Sequence, residues 1–158
     1  MRGLFYMNEL TRISIILLLI IANYIFLTIG AWAWLPDIFL MQTLLFTTFF
    51  NRIPSVYFFI FKGFLIDLFF STYSVPYTVT FGLIGAYLNF GNLKWIQRSF
   101  LEQIIMIFVI SLILNMLLGY FNNYSSNAEL RIILNPFLNS IVWIIIFITQ
   151  RQNWLKNI

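Results

Sequence analysis

The chain has 158 residues, of which 61% are hydrophobic and 9% charged, with a formal net charge of +4. A soluble domain carries roughly 25% charged residues, so too few charges are present to cover a water-facing surface, and a single all-α integral membrane domain over residues 1–158 is expected. Cysteine and histidine are both absent, which excludes disulfides, thiol nucleophiles, imidazole bases and the usual zinc or haem ligands.

A spanning helix needs about 20 largely apolar residues, with a range near 17–25. Taken in chain order, the first run extends from Ile13 to about Ala33, after Arg2, Glu9 and Arg12. Its basic start and the Ala31-Trp32-Ala33 tripeptide resemble a signal peptide. The run is longer than a usual signal core and more spans follow, so an uncleaved first span is expected. The second run follows Pro36-Asp37 and covers Ile38–Phe50, and Asn51, Arg52 and Pro54 form a turn. The third covers Ile53–Phe70 and contains Lys62 and Asp67, and the fourth covers Val75–Phe90. A loop with Lys94 and Arg98 precedes the fifth, Phe100–Phe121. The stretch Asn122–Arg131 is polar, and the sixth run is Ile132–Ile148, followed by Arg151 and Lys156. Six transmembrane helices are thus expected.

The basic residues flank the apolar runs, which fits membrane orientation better than nucleic-acid binding. With the N-terminus inside, the inner segments hold Arg2, Arg12, Arg52, Lys94, Arg98, Arg151 and Lys156, and the outer ones hold only Arg131. Both termini are therefore expected in the cytoplasm.

Polar residues within spans are costly and mark functional or packing sites. Gly63, Asp67 and Ser71 share one helix face at i, i+4 and i+8. Gly63 would let another helix or a ligand approach the backbone, and Asp67 would either cap or pair with a neighbouring segment or take part in function. Lys62 lies five residues from Asp67, a poor spacing for an intrahelical pair, so it would snorkel or meet a carboxylate elsewhere. Thr78, Gly82 and Ala86 form a small-residue face suited to close helix packing. Asn135, Asn139 and Trp143 lie on one stripe beside Pro136, and the two amides should face protein as interhelical hydrogen bonders.

Over nearly its full length the chain resembles the bacterial rod shape-determining MreD family. Pro36-Asp37 matches the family's Pro-Asp or Pro-Asn at the start of the second span, and Arg52 the basic residue about sixteen positions on. Gly63-Phe64-Leu65-Ile66-Asp67 matches a G-x-x-x-D element, and Asn139 with Arg151 matches an Asn about twelve residues before a basic end. The chain departs from the family pattern at Phe59, at Ser74 and Val75, and at Ile144, where members often carry glycine, glycine and proline. The resemblance implies a non-enzymatic, cofactor-free scaffold of the inner membrane in the lateral-wall elongation machinery. Its implied partners are a single-span MreC-like protein, a RodA-type glycosyltransferase and a class B penicillin-binding transpeptidase, and through MreC the MreB cytoskeleton. The implied fold is similar to that of the S components of energy-coupling-factor transporters.

A substrate-binding S component for a vitamin or metal is the alternative of equal size. Its usual Ala-x-x-x-Ala element is missing from the first run, where Ala22 stands among bulky residues. A small membrane enzyme would have to rely on Asp67, Glu102 or Glu129, which the sequence does not place as an acid–base pair.

Overall fold

The structure, a computed structural model, describes residues 31–48, 50, 52–70, 74–91, 93–122 and 128–155, with a few isolated positions between 18 and 25. The chain divides into two compact units, 1–32 and 33–158. The expected first span lies almost entirely outside the described residues; the described positions Leu18, Ile21, Ala22 and Ile25 are helical. The second unit contains five α-helices: α1 (Ile38–Thr47), α2 (Val56–Phe70), α3 (Pro76–Phe90), α4 (Phe100–Asn122) and α5 (Ala128–Leu155). A 3-10 turn, Trp95–Gln97, lies between α3 and α4.

Local chemistry sets the boundaries. Asp37 has extended backbone geometry, and its side chain accepts from the Leu40 amide, a helix N-cap that starts α1. Residues 53–55, with Pro54 among them, are not helical, so α2 begins only at Val56. Pro76 opens α3 at the position where a missing amide proton costs nothing.

These boundaries correct the expected six spans. Among the described residues, two helices are long and apolar enough to cross a membrane, over Phe100–Phe121 and Glu129–Gln150. At 1.5 Å per residue, each 22-residue stretch reaches about 33 Å, against a hydrocarbon core of about 30 Å. By contrast, α2 and α3 have 15 residues each, or about 22 Å, and α1 has 10. The expected third run included residues 53–55, which are not helical, and the fourth, Val75–Phe90, was already short of a full span. The all-helical class stands; a six-span S-component-like architecture does not. The sixth run is also longer than expected: α5 starts at Ala128, so Glu129 and Arg131 belong to the helix, not to a loop.

The helices pack as antiparallel neighbours. Gly63 on α2 lies against Tyr77 and Thr78 on α3, while Gly85 lies against Val56 and Phe59. Along α4 and α5, Phe100 meets Phe147 with ring centroids 4.6 Å apart, and Phe108 meets Phe137 at 5.1 Å. The α3 and α4 helices also touch. An aromatic chain from Phe39 of α1 to Phe70 of α2, and to Tyr77 and Phe81 of α3, ties the first three helices together.

The outward faces of α4 and α5 are apolar. Leu101, Ile105 and Val109 are exposed on the first, and Ile133, Phe137, Ile141, Ile145 and Ile148 on the second. Contiguous exposed stripes of this kind suit a lipid environment. With Lys94 and Arg98 before α4 and Arg151 and Lys156 at the end of α5, the positive-inside rule gives the expected orientation of an α4–α5 hairpin in a membrane, with that end cytoplasmic. An impermeant thiol reagent applied to intact spheroplasts should label Ser125→Cys and leave Ser99→Cys and Asn157→Cys unmodified. Labelling at either of the last two positions contradicts this orientation.

Candidate functional site

The interior contains a polar core made by four parts of the chain. At its centre is Asp37, 2% exposed. Its Oδ1 accepts from the Leu40 amide at 2.8 Å, and its Oδ2 accepts from the Tyr77 hydroxyl at 2.8 Å and from Arg131 at 3.5 Å. The Asp37 amide donates to Asn139 Oδ1 at 2.7 Å. Arg131 in turn donates from Nε to Asn115 Oδ1 at 2.7 Å. Asn115 donates to Asn135 Oδ1 at 2.8 Å and to the Ser111 carbonyl at 2.7 Å. Asn139 donates to Ser111 Oγ and to Asn135 Oδ1, and Asn135 donates to the Leu35 carbonyl.

The arrangement joins the segment before α1 to α3, α4 and α5. A carboxylate that accepts three bonds beside a guanidinium is matched in charge and geometry, which a buried ion requires. The residues form a connected network of donors and acceptors that links these segments.

A second joint is formed by Gly63 and Asp67. Asp67 is 3% exposed and accepts from the Tyr77 amide at 3.1 Å, the Thr78 amide at 2.7 Å and the Thr78 hydroxyl at 2.7 Å. These are the first-turn amides of α3, whose own N-cap residue, Val75, makes no side-chain cap bond. Asp67 therefore caps α3 from the neighbouring helix, satisfying orphan donors and facing the positive end of the helix dipole. Gly63 makes this possible: a Cβ there would stand 2.5 Å from the Tyr77 carbonyl oxygen and 2.7 Å from Thr78 Cα. The G-x-x-x-D element is thus a clasp between α2 and the start of α3.

A third joint lies at the other end of α4. Gln103 donates to the carbonyls of Trp95 and Arg98 and accepts from Trp143 Nε1 at 2.8 Å. Trp95 and Trp143 pack edge to face, 5.5 Å between ring centroids. Arg98 pairs with Glu102, lies 4.0 Å over the Tyr87 ring and donates to the Tyr87 carbonyl; the Tyr87 hydroxyl donates to Glu102.

No family model, curated protein or solved structure matches this chain.

Of the residues singled out in the sequence, Asp37, Asn135 and Asn139 meet in the central joint, with Pro36 immediately before it. Gly63, Asp67 and Thr78 meet in the clasp. Trp143 follows the two asparagines inward and is fully buried. Of the close-packing face expected at Thr78, Gly82 and Ala86, only Thr78 lies at a close helix approach, against Gly63. Ala86 is exposed, and the nearest atom to a Cβ at Gly82 would be an Ile60 side-chain carbon at an ordinary 3.4 Å. The tight approach is at Gly85, where a Cβ would come within 2.9 Å of Phe59 and 3.1 Å of the Val56 backbone. Phe59, one of the departures from the family pattern, fills the space that Gly85 leaves. Arg52 is exposed and joins none of the three joints, and the Arg151 side chain lies outside the described residues. Lys62 lies with its ammonium 5.6 Å from the centroid of the Phe46 ring, a cation–π contact with α1.

Sequence reasoning missed Ser111, Asn115, Tyr77, Gln103 and Arg131. Ser111 and Asn115 are four residues apart in the otherwise apolar stretch 104–118 of α4, the same signal that singled out Asn135 and Asn139. Arg131, assigned to an outer loop, is 3% exposed inside α5.

The clasp makes a specific prediction. Asp67→Leu leaves two backbone donors and a hydroxyl without their acceptor, at about 1–3 kcal/mol for each buried group. Thermal unfolding in detergent should show Asp67→Leu less stable than Asp67→Asn, which keeps one acceptor oxygen, and Gly63→Leu at least as damaging. Equal stability of Asp67→Leu and the parent would remove the cap.

Proposed function

We propose that this chain is a non-enzymatic scaffold of the MreD type in the bacterial cytoplasmic membrane, with both termini cytoplasmic. In this reading it holds a single-span MreC-like protein and, with it, a RodA-type glycosyltransferase and a class B penicillin-binding transpeptidase during lateral-wall peptidoglycan synthesis, with indirect contact to MreB. The observation that carries the proposal is that positions on which the family resemblance rests are bonded to one another. The Asp37 amide donates to Asn139 across 102 residues of sequence, and Gly63 and Asp67 together clasp α3. Residues that fix a rigid helical body support a role in presenting surfaces.

The surface available for such presentation is large and apolar, including the exposed side of α2 at Tyr57, Phe61 and Phe69 and the end of α3 at Phe90. Without thiol or imidazole groups in the sequence, and with the buried carboxylates of Asp37 and Asp67 engaged as caps, a scaffold role accounts for the polar residues better than turnover does.

Depleting the protein should turn rod-shaped cells round, and an MreC-like partner should co-purify with it in mild detergent. Asp37→Leu should weaken both effects. Unchanged rod shape after complete loss, together with tight vitamin binding by the purified protein, would instead favour a transporter subunit.

A further inference from the structure

A groove of about 550 Å³ runs between α3 and α4. Its walls are aliphatic over most of their length, with Leu83 on one side and Ile105, Val109 and Ile113 on the other. The polar lining residues, Ser99, Tyr87 and Glu102, gather at one end, at the start of α4. From Ser99 to Ile113 the groove follows about 21 Å of α4. That length matches one bilayer leaflet with its headgroup layer, roughly 20–22 Å.

The charge at the polar end is asymmetric. The Arg98 side chain is 4% exposed and that of Glu102 is 39% exposed, so the cation is hidden behind the carboxylate. Both the Tyr87 and the Arg98 bonds go to Glu102 Oε1, and neither uses Oε2. An incoming group therefore meets a carboxylate oxygen and the Ser99 hydroxyl, not a guanidinium. The groove's volume also limits its occupant. A single extended hydrocarbon chain is narrow enough to lie along it.

From this geometry we propose that the α3–α4 groove is a lipid site: it takes one acyl chain of a phospholipid whose ammonium headgroup bonds to Glu102. The site rests on the membrane reading given above but not on the scaffold's partners. Lys94 and Arg98 at the same end place the headgroup on the cytoplasmic side. The ammonium adds a charge-assisted hydrogen bond to Oε2, and the tail covers the exposed faces of Ile105 and Val109.

Native mass spectrometry of the purified chain in detergent, with added phosphatidylethanolamine, phosphatidylcholine or phosphatidylglycerol, tests the site without any partner protein. One charge-assisted bond is worth roughly tenfold in affinity, so phosphatidylethanolamine should be retained about tenfold over phosphatidylglycerol. Phosphatidylcholine, whose ammonium cannot donate a hydrogen bond, should fall between. Glu102→Gln should reduce the preference to within about twofold while leaving a tail bound, and Val109→Trp should empty the groove of all three lipids. Equal retention of the three by the parent protein, or a preference that survives Glu102→Gln, would overturn the proposal. So would a Val109→Trp variant that binds lipid normally but loses an MreC-like partner, which would assign the groove to a protein segment.

Discussion

The carboxylate of Asp37 accepts from an amide of its own helix, from Tyr77 on α3 and from Arg131 on α5, and the amide of the same residue donates to Asn139. Most other contacts among these helices are apolar, and apolar contacts do little to orient helices whose outer faces are equally apolar. In lipid the gain from burying a leucine against another leucine is small, because the hydrocarbon outside is as apolar as the neighbour within. Hydrogen bonds between buried polar groups discriminate instead, since a slipped register leaves them unpaired in a medium that offers no replacement. The central joint therefore sets which residues of α3, α4 and α5 face one another, and the flanking contacts of Phe108 with Phe137 and Trp95 with Trp143 follow from it.

The clasp of Gly63 and Asp67 applies the same logic to two shorter helices. At 15 residues each, α2 and α3 fall below the roughly 17–25 residues of an independent span. Their association depends on closeness, which glycine permits at 63 and 85, and on the capping of α3 by a carboxylate from outside it. The three joints are spread over both ends of the helices, so the body resists both tilting and sliding.

Much of the core was legible in the sequence. Asn135 and Asn139 are amides at a spacing of four within an apolar run, and that spacing puts both on one inward stripe. Gly63 and Asp67 were legible for the same reason, and capping was one of the roles open to Asp67. The number of spans was not legible, because hydropathy registers composition without registering where helices begin; residues 53–55, with Pro54 among them, are apolar or neutral yet not helical. Arg131 follows a polar stretch and reads as a loop charge; the tertiary placement of Asp37 and Asn115 beside it compensates its burial. Gly82 and Gly85 are three residues apart, about 60° around a helix; the spacing-four pattern singled out Gly82, whereas Phe59 and Val56 pack against Gly85. The α3–α4 groove brings together residues separated along the chain and leaves no periodic signature.

Asp37 and Arg131 act as one unit, and a double-mutant cycle measures this directly. Unfolding in detergent would be followed for Asp37→Asn, Arg131→Met and the double variant. Removing one partner of a buried pair typically costs about 3–5 kcal/mol because the other is left uncompensated. The double variant should lose clearly less than the two single losses added, by about 1 kcal/mol or more. Losses that simply add would show that the two residues stabilise the fold independently and would contradict the central joint.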